Sequence, residues 1–201
     1  MKNVSRAVAL VAAAALSAAG LVGTATTSAT AAPAAPAAKA KAPVATSYTC
    51  VTGLGEFELP MSIATSLPAS VKAKKTVPAK AVKLEVTVPA SVVGMAAGLL
   101  NVTALGGKIA GDATAGKTVI GLAGTFTQAE IADPAADLVI TGKGKTAKFK
   151  IAKPGTYVVK APKTVSFTPV DQAGTAFIGA ISCNLTPGAA AKLATIKVTK
   201  K

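Results

Sequence analysis

The stretch GDATAGKT, Gly111 to Thr118, fits the pattern G-x-x-x-x-G-K-[ST] at every position. In a phosphate-binding loop, glycines at that spacing aim backbone N–H groups at phosphates, and the lysine reaches the terminal ones. That chemistry needs a buried strand before the loop and a helix after it. Here VIGLAGTF follows, β-branched and punctuated by glycine, with no alternation of strand and helix around it. The stretch reads as a turn between two strands.

Other catalytic chemistry is thinly supplied. The chain has no histidine, which removes His-based triads, most zinc sites and the usual base near neutral pH. Glu56 and Glu58 share one face of a candidate strand, and Asp133 and Asp137 share a loop region. A glycosidase needs two carboxylates flanking a cleft. Sugar sites also commonly stack rings on aromatic side chains, and this chain has two tyrosines, five phenylalanines and no tryptophan. The four acids read as solvated surface groups. Asp133 and Asp137 also lack the D-x-[DN]-x-[DN]-G series of a calcium loop. No catalytic residue, cofactor or metal site is expected. The sequons at Asn101 and Asn184 are short matches that carry little weight.

What remains is lysine. GKGKTAKFKIAKPGTYVVKAPK, Gly142 to Lys163, carries seven lysines and neither an acid nor an arginine. Alternation points Phe149 and Ile151 inward and Lys148 and Lys150 outward. Lys153-Pro154-Gly155 has the form of a turn, and TYVVK returns with Tyr157 and Val159 inward. The segment reads as a hairpin with a basic outer stripe, and Lys143, Lys145, Lys148, Lys150, Lys160 and Lys163 are the candidate polyanion-binding residues. Specific phosphate or carboxylate readout favours the arginine fork, whereas lysine is a hydrated point charge suited to diffuse, salt-sensitive attraction. The plain alternative is that these charges only keep an aromatic-poor protein soluble and blunt its sheet edges.

The compartment narrows the partners. Lys2 and Arg6 precede the small apolar run Ala7 to Val22, and Ala29-Thr30-Ala31 forms an A-x-A site. Residues 1–31 are therefore expected to be a secretory signal peptide, followed by a secreted product that could associate with a cell wall. No later stretch has the roughly 20 apolar residues of a spanning helix. Residues 32–47, rich in Ala, Pro and Lys, read as a disordered spacer, and 48–201 as one domain. Without Lys2 and Arg6, 20 basic residues face 8 acidic ones, a net charge of +12 with no arginine. Nucleic acid is set aside because the compartment is wrong for it. Cys50 and Cys183, an even count in an oxidising compartment, read as one structural disulfide. Neither a C-x-x-C pair nor an electropositive helix end argues for reactive thiols.

The elements that must position these residues are strands. Phe57, Leu59, Met61 and Ile63 alternate with polar neighbours, as do Val82, Leu84, Val86 and Val88. Gly/Pro punctuation recurs at Pro68, Pro78, Pro89, Gly106-Gly107, Gly116, Pro154-Gly155, Pro162 and Pro187-Gly188. Several short strands with regular turn signals predict a β-sandwich. PASVVGMAAGLLNV, Pro89 to Val102, instead spaces Val92, Val93, Ala96, Leu99 and Leu100 at helical intervals and predicts a short helix over one end.

The segments SYTC, VTVPASVV, GTFTQAEIADPAADLVITGKG and CNLTPGAAAKLATIKV occur in this order between Tyr48 and Val198. In this the chain resembles secreted actinobacterial β-sandwich domains classed as a domain of unknown function. The resemblance implies an all-β, immunoglobulin-like sandwich with a Cys50–Cys183 bridge, and it brings no catalytic residues. The expected function is a non-catalytic extracellular protein whose lysine face adheres to anionic cell-wall polymer or acidic glycan. Two alternatives stand beside it: a module that binds another secreted protein while its lysines serve solubility, and, more remotely, a carboxylate hydrolase.

Overall fold

The period-two runs are strands, and their apolar faces are buried: Leu59, Met61 and Ile63 in one, Val82, Leu84, Val86 and Val88 in another. The computed structural model describes residues 42–52 and 55–200. The signal peptide assigned to 1–31, and residues 32–41 of the spacer, lie outside them. The elements are β1 (Val44–Thr52), β2 (Gly55–Thr65), β3 (Ser70–Lys72), β4 (Thr76–Val77), β5 (Ala81–Val88), α1 (Ala90–Leu100), β6 (Ala104–Ala115), β7 (Thr118–Glu130), β8 (Leu138–Thr146), β9 (Phe149–Lys150), β10 (Gly155–Lys160), β11 (Thr164–Val170), β12 (Ile181–Leu185) and β13 (Lys192–Thr199). Residues 44–47, read from sequence as the end of the spacer, are the first residues of β1.

The architecture is all-β with one short helix and one disulfide, but it is not an immunoglobulin-like sandwich. Eight antiparallel strands run β11-β12-β1-β2-β5-β8-β7-β6, and β6 pairs back onto β11 from Val165↔Gly111 to Val170↔Gly106. That pairing closes a barrel. Alternation reports one buried face per strand, which two facing sheets and one closed sheet satisfy equally. Within the barrel, β5 crosses through α1 to β6, and the β6–β7–β8 meander brings β8 back beside β5 in a Greek key.

Small interior positions let the wall close tightly. A Cβ on Gly107 would stand 2.7 Å from the Phe167 ring, and one on Gly124 would stand 2.5 Å from Leu84 Cδ1. Phe167 and Leu84 take the space those side chains would need, and Phe167 meets Phe126 edge-on at 5.9 Å between centroids. Gly106-Gly107, expected as a turn, therefore lies inside β6, where the register with β7 shifts. Gly116, by contrast, does turn the chain. Its φ of 60° starts the two-residue β6–β7 hairpin, so Gly111 to Thr118 is strand, turn and strand.

One end of the barrel is covered by α1, as its helical spacing predicts, through the buried Val93 and Ala96. Asn101 ends the helix in the left-handed region, and Val102 N–H returns to Ala96 O at 3.1 Å. The other end is closed by a flap. There β6 outruns β11, and its residues Thr114 and Ala115 pair with β10. β10 pairs with β13, and β13 runs parallel to β3. Val159, Ile196 and Val198 of this flap, with Phe149, Ile151 and Val77 of the small β4–β9 ribbon, bury into the barrel's own core. The expected Lys148–Lys160 hairpin is absent: β9 pairs with β4 and β10 with β13, because turn chemistry at Pro154-Gly155 permits a hairpin without choosing its partner strand. Phe149 and Ile151 do face inward, with Lys148 and Lys150 exposed.

Cys50 and Cys183 are directly opposed in the β1–β12 ladder, bonded, with Cα atoms 4.0 Å apart. The bridge staples neighbouring barrel strands rather than two sheets. Beside it Tyr48, fully buried, donates its hydroxyl to Pro162 O at 3.0 Å. Burial pushes the Tyr48 hydroxyl up to about 12.

Two expectations follow from this seam. The bridge spans 133 residues of sequence, so the Cys50→Ala/Cys183→Ala variant loses up to about 5 kcal/mol of unfolding free energy in urea titrations. Tyr48 ionises harder in the fold than in the unfolded chain, so its stabilisation is whole below about pH 10 and is lost as pH rises towards 12. The loss reaches about 3 kcal/mol. Tyr48→Phe flattens that alkaline slope, and at neutral pH it costs about 1–3 kcal/mol through the unpaired Pro162 carbonyl.

Candidate functional site

In an antiparallel barrel successive connections leave alternate ends, and in this chain the alternation sorts charge. At the flap end, residues 66–80 carry Lys72, Lys74, Lys75 and Lys80, and the 116–117 turn carries Lys117. Residues 147–163 carry Lys148, Lys150, Lys153, Lys160 and Lys163, and residues 186–200 carry Lys192, Lys197 and Lys200. None of these connections contains a carboxylate. At the helix end, residues 89–103, 131–137 and 171–180 contain no lysine. Six of the eight acids sit at that end: Glu56, Glu58, Glu130, Asp133, Asp137 and Asp171. The barrel axis is therefore an axis of charge.

Backbone hydrogen bonds lock the lysine-bearing connections to one another. Lys74 N–H reaches Ile151 O at 2.9 Å, Thr146 N–H reaches Lys80 O at 2.9 Å, Ala73 N–H reaches Thr199 O at 2.8 Å, and Lys197 N–H reaches Ala69 O at 2.8 Å. The buried Thr146 hydroxyl in turn accepts from Lys80 N–H at 3.0 Å. Lys74 itself sits at φ 64°, a left-handed turn position that glycine would fill without strain.

A second cluster lies on the barrel flank. Register places Thr168 of β11, Lys108 of β6, Thr125 of β7, Lys143 of β8 and Lys83 of β5 in one lateral row. The adjacent row is Ser166, Ala110, Ala123 and Lys145. Because Ala110 and Ala123 are small, the surface sinks there into an open depression of about 550 Å³ lined by Lys108, Lys143, Lys145 and the three hydroxyl residues. Lysines and hydroxyls over backbone make a lining of donors and cations, which can solvate an anionic group.

The six lysines chosen from sequence are divided between these clusters. Lys143 and Lys145 line the flank depression, while Lys148, Lys150, Lys160 and Lys163 belong to the flap end. Sequence reasoning missed Lys83 and Lys108, which only strand register brings beside Lys143. It also missed the lysines of 66–80 and 186–200, far away in sequence. The acids are placed structurally. Asp137 Oδ1 accepts Ala90 N–H at 2.8 Å and caps α1, and Asp133 Oδ1 accepts Ala135 N–H at 2.8 Å within its own turn. Asn184, in the second sequon, accepts from the Thr164 hydroxyl at 2.9 Å.

A family model described as "Family of unknown function (DUF6801)" matches residues 47–194. The matched stretch holds every barrel strand, β1 from its fourth residue, and stops inside β13. No curated protein and no solved structure matches the chain. The disulfide is consistent with an extracellular location. Among the described residues no helix is long and apolar enough to cross a membrane.

Lys83 and Lys143 stand directly opposite each other, as do Lys160 and Lys192. Like charges so placed repel. Lys143→Gln is expected to raise stability by a few tenths of a kcal/mol at low salt, with the gain vanishing as salt is added. Lys74→Gly is expected to raise it by about 1 kcal/mol, most of which persists at high salt because it comes from the backbone. Urea titrations at two ionic strengths separate the two effects.

Proposed function

This chain belongs to that family of unknown function, and from that premise we propose that it is a non-catalytic extracellular module that adheres to anionic polymers, lysine end first. The partner class is an anionic cell-wall polymer or an acidic glycan. The observation that carries the reading is the partition of charge. The connections at the flap end carry lysine and no carboxylate, whereas 89–103, 131–137 and 171–180 at the helix end carry no lysine, and the last two carry Asp133, Asp137 and Asp171. Solubility alone asks for charge spread over the surface in both signs. Segregation to one end instead creates a field that turns the molecule as it approaches a polyanion.

The lysine composition sets the kind of contact. A point charge on a flexible stem meets sulfate, phosphate or carboxylate without demanding a fixed geometry. Many such contacts sum to a strong but salt-sensitive attachment. The unfavourable features at this end support the same reading, since the left-handed Lys74 and the opposed pair Lys160 and Lys192 cost stability and gain nothing inside the fold.

The test is retention of the full chain on purified bacterial cell wall and on an immobilised acidic polysaccharide across a salt series. Retention at low salt, release at high salt, and at least about tenfold weaker binding for Lys72→Gln/Lys74→Gln/Lys75→Gln are expected. Glu56→Gln/Glu58→Gln, at the opposite end, should leave retention unchanged. Absence of retention at low salt overturns the proposal. Protein partners that survive high salt would favour a module that docks on another secreted protein.

A further inference from the structure

The end of the barrel away from the lysines encloses a cavity of about 170 Å³ between α1 and the strands. Phe57, Leu105, Phe167 and Ile181 line it from the barrel, and Met95 and Ala96 from the helix. Thr52 is the one polar residue among its described lining residues, and none is charged. An apolar cavity of about 150 Å³ stays dry and takes up benzene, so this space suits roughly six carbons.

The mouth says more about shape. Leu99 and Leu100, consecutive in the last turn of α1, belong to the cavity lining and are 71% and 46% exposed. A compact guest such as benzene would leave both leucines in water. An elongated one would bury its end inside and cover them with the rest of its length. The helix above the cavity is lightly built. Gly94 and Gly98 lower its propensity, and its first N–H group is held from outside by Asp137.

We propose that this cavity binds the terminal carbons of a saturated alkyl chain, as in a lipid acyl tail or a free amphiphile, with α1 as its lid. The uncharged lining leaves any polar head group in solvent beyond Leu99. The site is independent of the lysine end, at the opposite pole of the barrel.

Met95 supplies a built-in probe, because it lines the cavity while Met61 lies in the barrel core. The full chain, carrying ¹³C-methyl methionine, is titrated with 1-octanol. A saturable shift of the Met95 methyl, with Met61 unmoved, is expected. Ala96→Phe fills the cavity and abolishes the shift. Leu99→Asp, at an exposed position that leaves the fold intact, weakens binding at least about tenfold and decides the matter if Ala96→Phe does not fold. A Met95 shift that stays linear to the solubility limit, or saturable binding that Leu99→Asp does not weaken, overturns the proposal. Cosedimentation with vesicles of zwitterionic phosphatidylcholine, lost in Leu99→Asp, assigns the chain to membrane lipid. Octanol binding without cosedimentation assigns it to a free amphiphile.

Discussion

The structure depends on one pairing, that of β6 with β11. β6 is twelve residues long, and its outer edge does two jobs in sequence. Residues 106–111 hold β11 and close the barrel, while Thr114 and Ala115 hold β10 and root the flap. Were the closure to open, β6 and β11 would become exposed sheet edges, and the flap would lose the wall it packs on. Gly107 is what lets the closure sit where it does, since Phe167 occupies the space its side chain would fill. The Cys50–Cys183 bridge then fixes the β1–β12 seam, two strands along the wall from that closure.

Closure also creates two distinct ends, and antiparallel order assigns each connection to one of them. The ends are built differently. The flap end is sealed by short strands that run on from the barrel wall, so its lysines ride on backbone tied by inter-segment hydrogen bonds. The helix end is sealed by one short, largely apolar helix whose buried residues are Val93 and Ala96. Cations carried on tied backbone and an apolar helical cover are opposite solutions to the same problem of closing a barrel mouth.

Local alternation made the strands, their inward residues and the helix over 89–102 legible in the sequence. Phe149 and Ile151 point inward as Lys148 and Lys150 point out, for instance. The pairing partners were not legible. Pro154-Gly155 has the chemistry of a hairpin turn, yet Tyr157 lies opposite Ile196. Sandwich and barrel share the same period, and the decisive glycines resemble punctuation until Gly107 is seen beneath Phe167. Lys83 and Lys108 were passed over because neither belongs to a dense run, and their neighbourhood with Lys143 exists only across strands. One signal was present and unread. Along the chain, lysine-free connections (89–103, 131–137, 171–180) alternate with acid-free ones (66–80, 116–117, 147–163, 186–200). In an antiparallel sheet that rhythm is enough to predict a basic end and an acidic one.

The separation between those ends matters as much as their sign. Six of the eight barrel strands have eight or more residues, and at about 3.3 Å each, tilted as barrel strands are, they hold the two mouths about 20 Å apart. The screening length at physiological ionic strength is about 8 Å. The acids beside α1 therefore do little to weaken the lysines at the flap, and each end meets its surroundings as a separate surface. At lower ionic strength the two ends couple and the molecule behaves as a dipole. A protein with the same net charge spread evenly would have neither property. What distinguishes this chain is where the fold puts its charges, a consequence of strand order that composition alone does not contain.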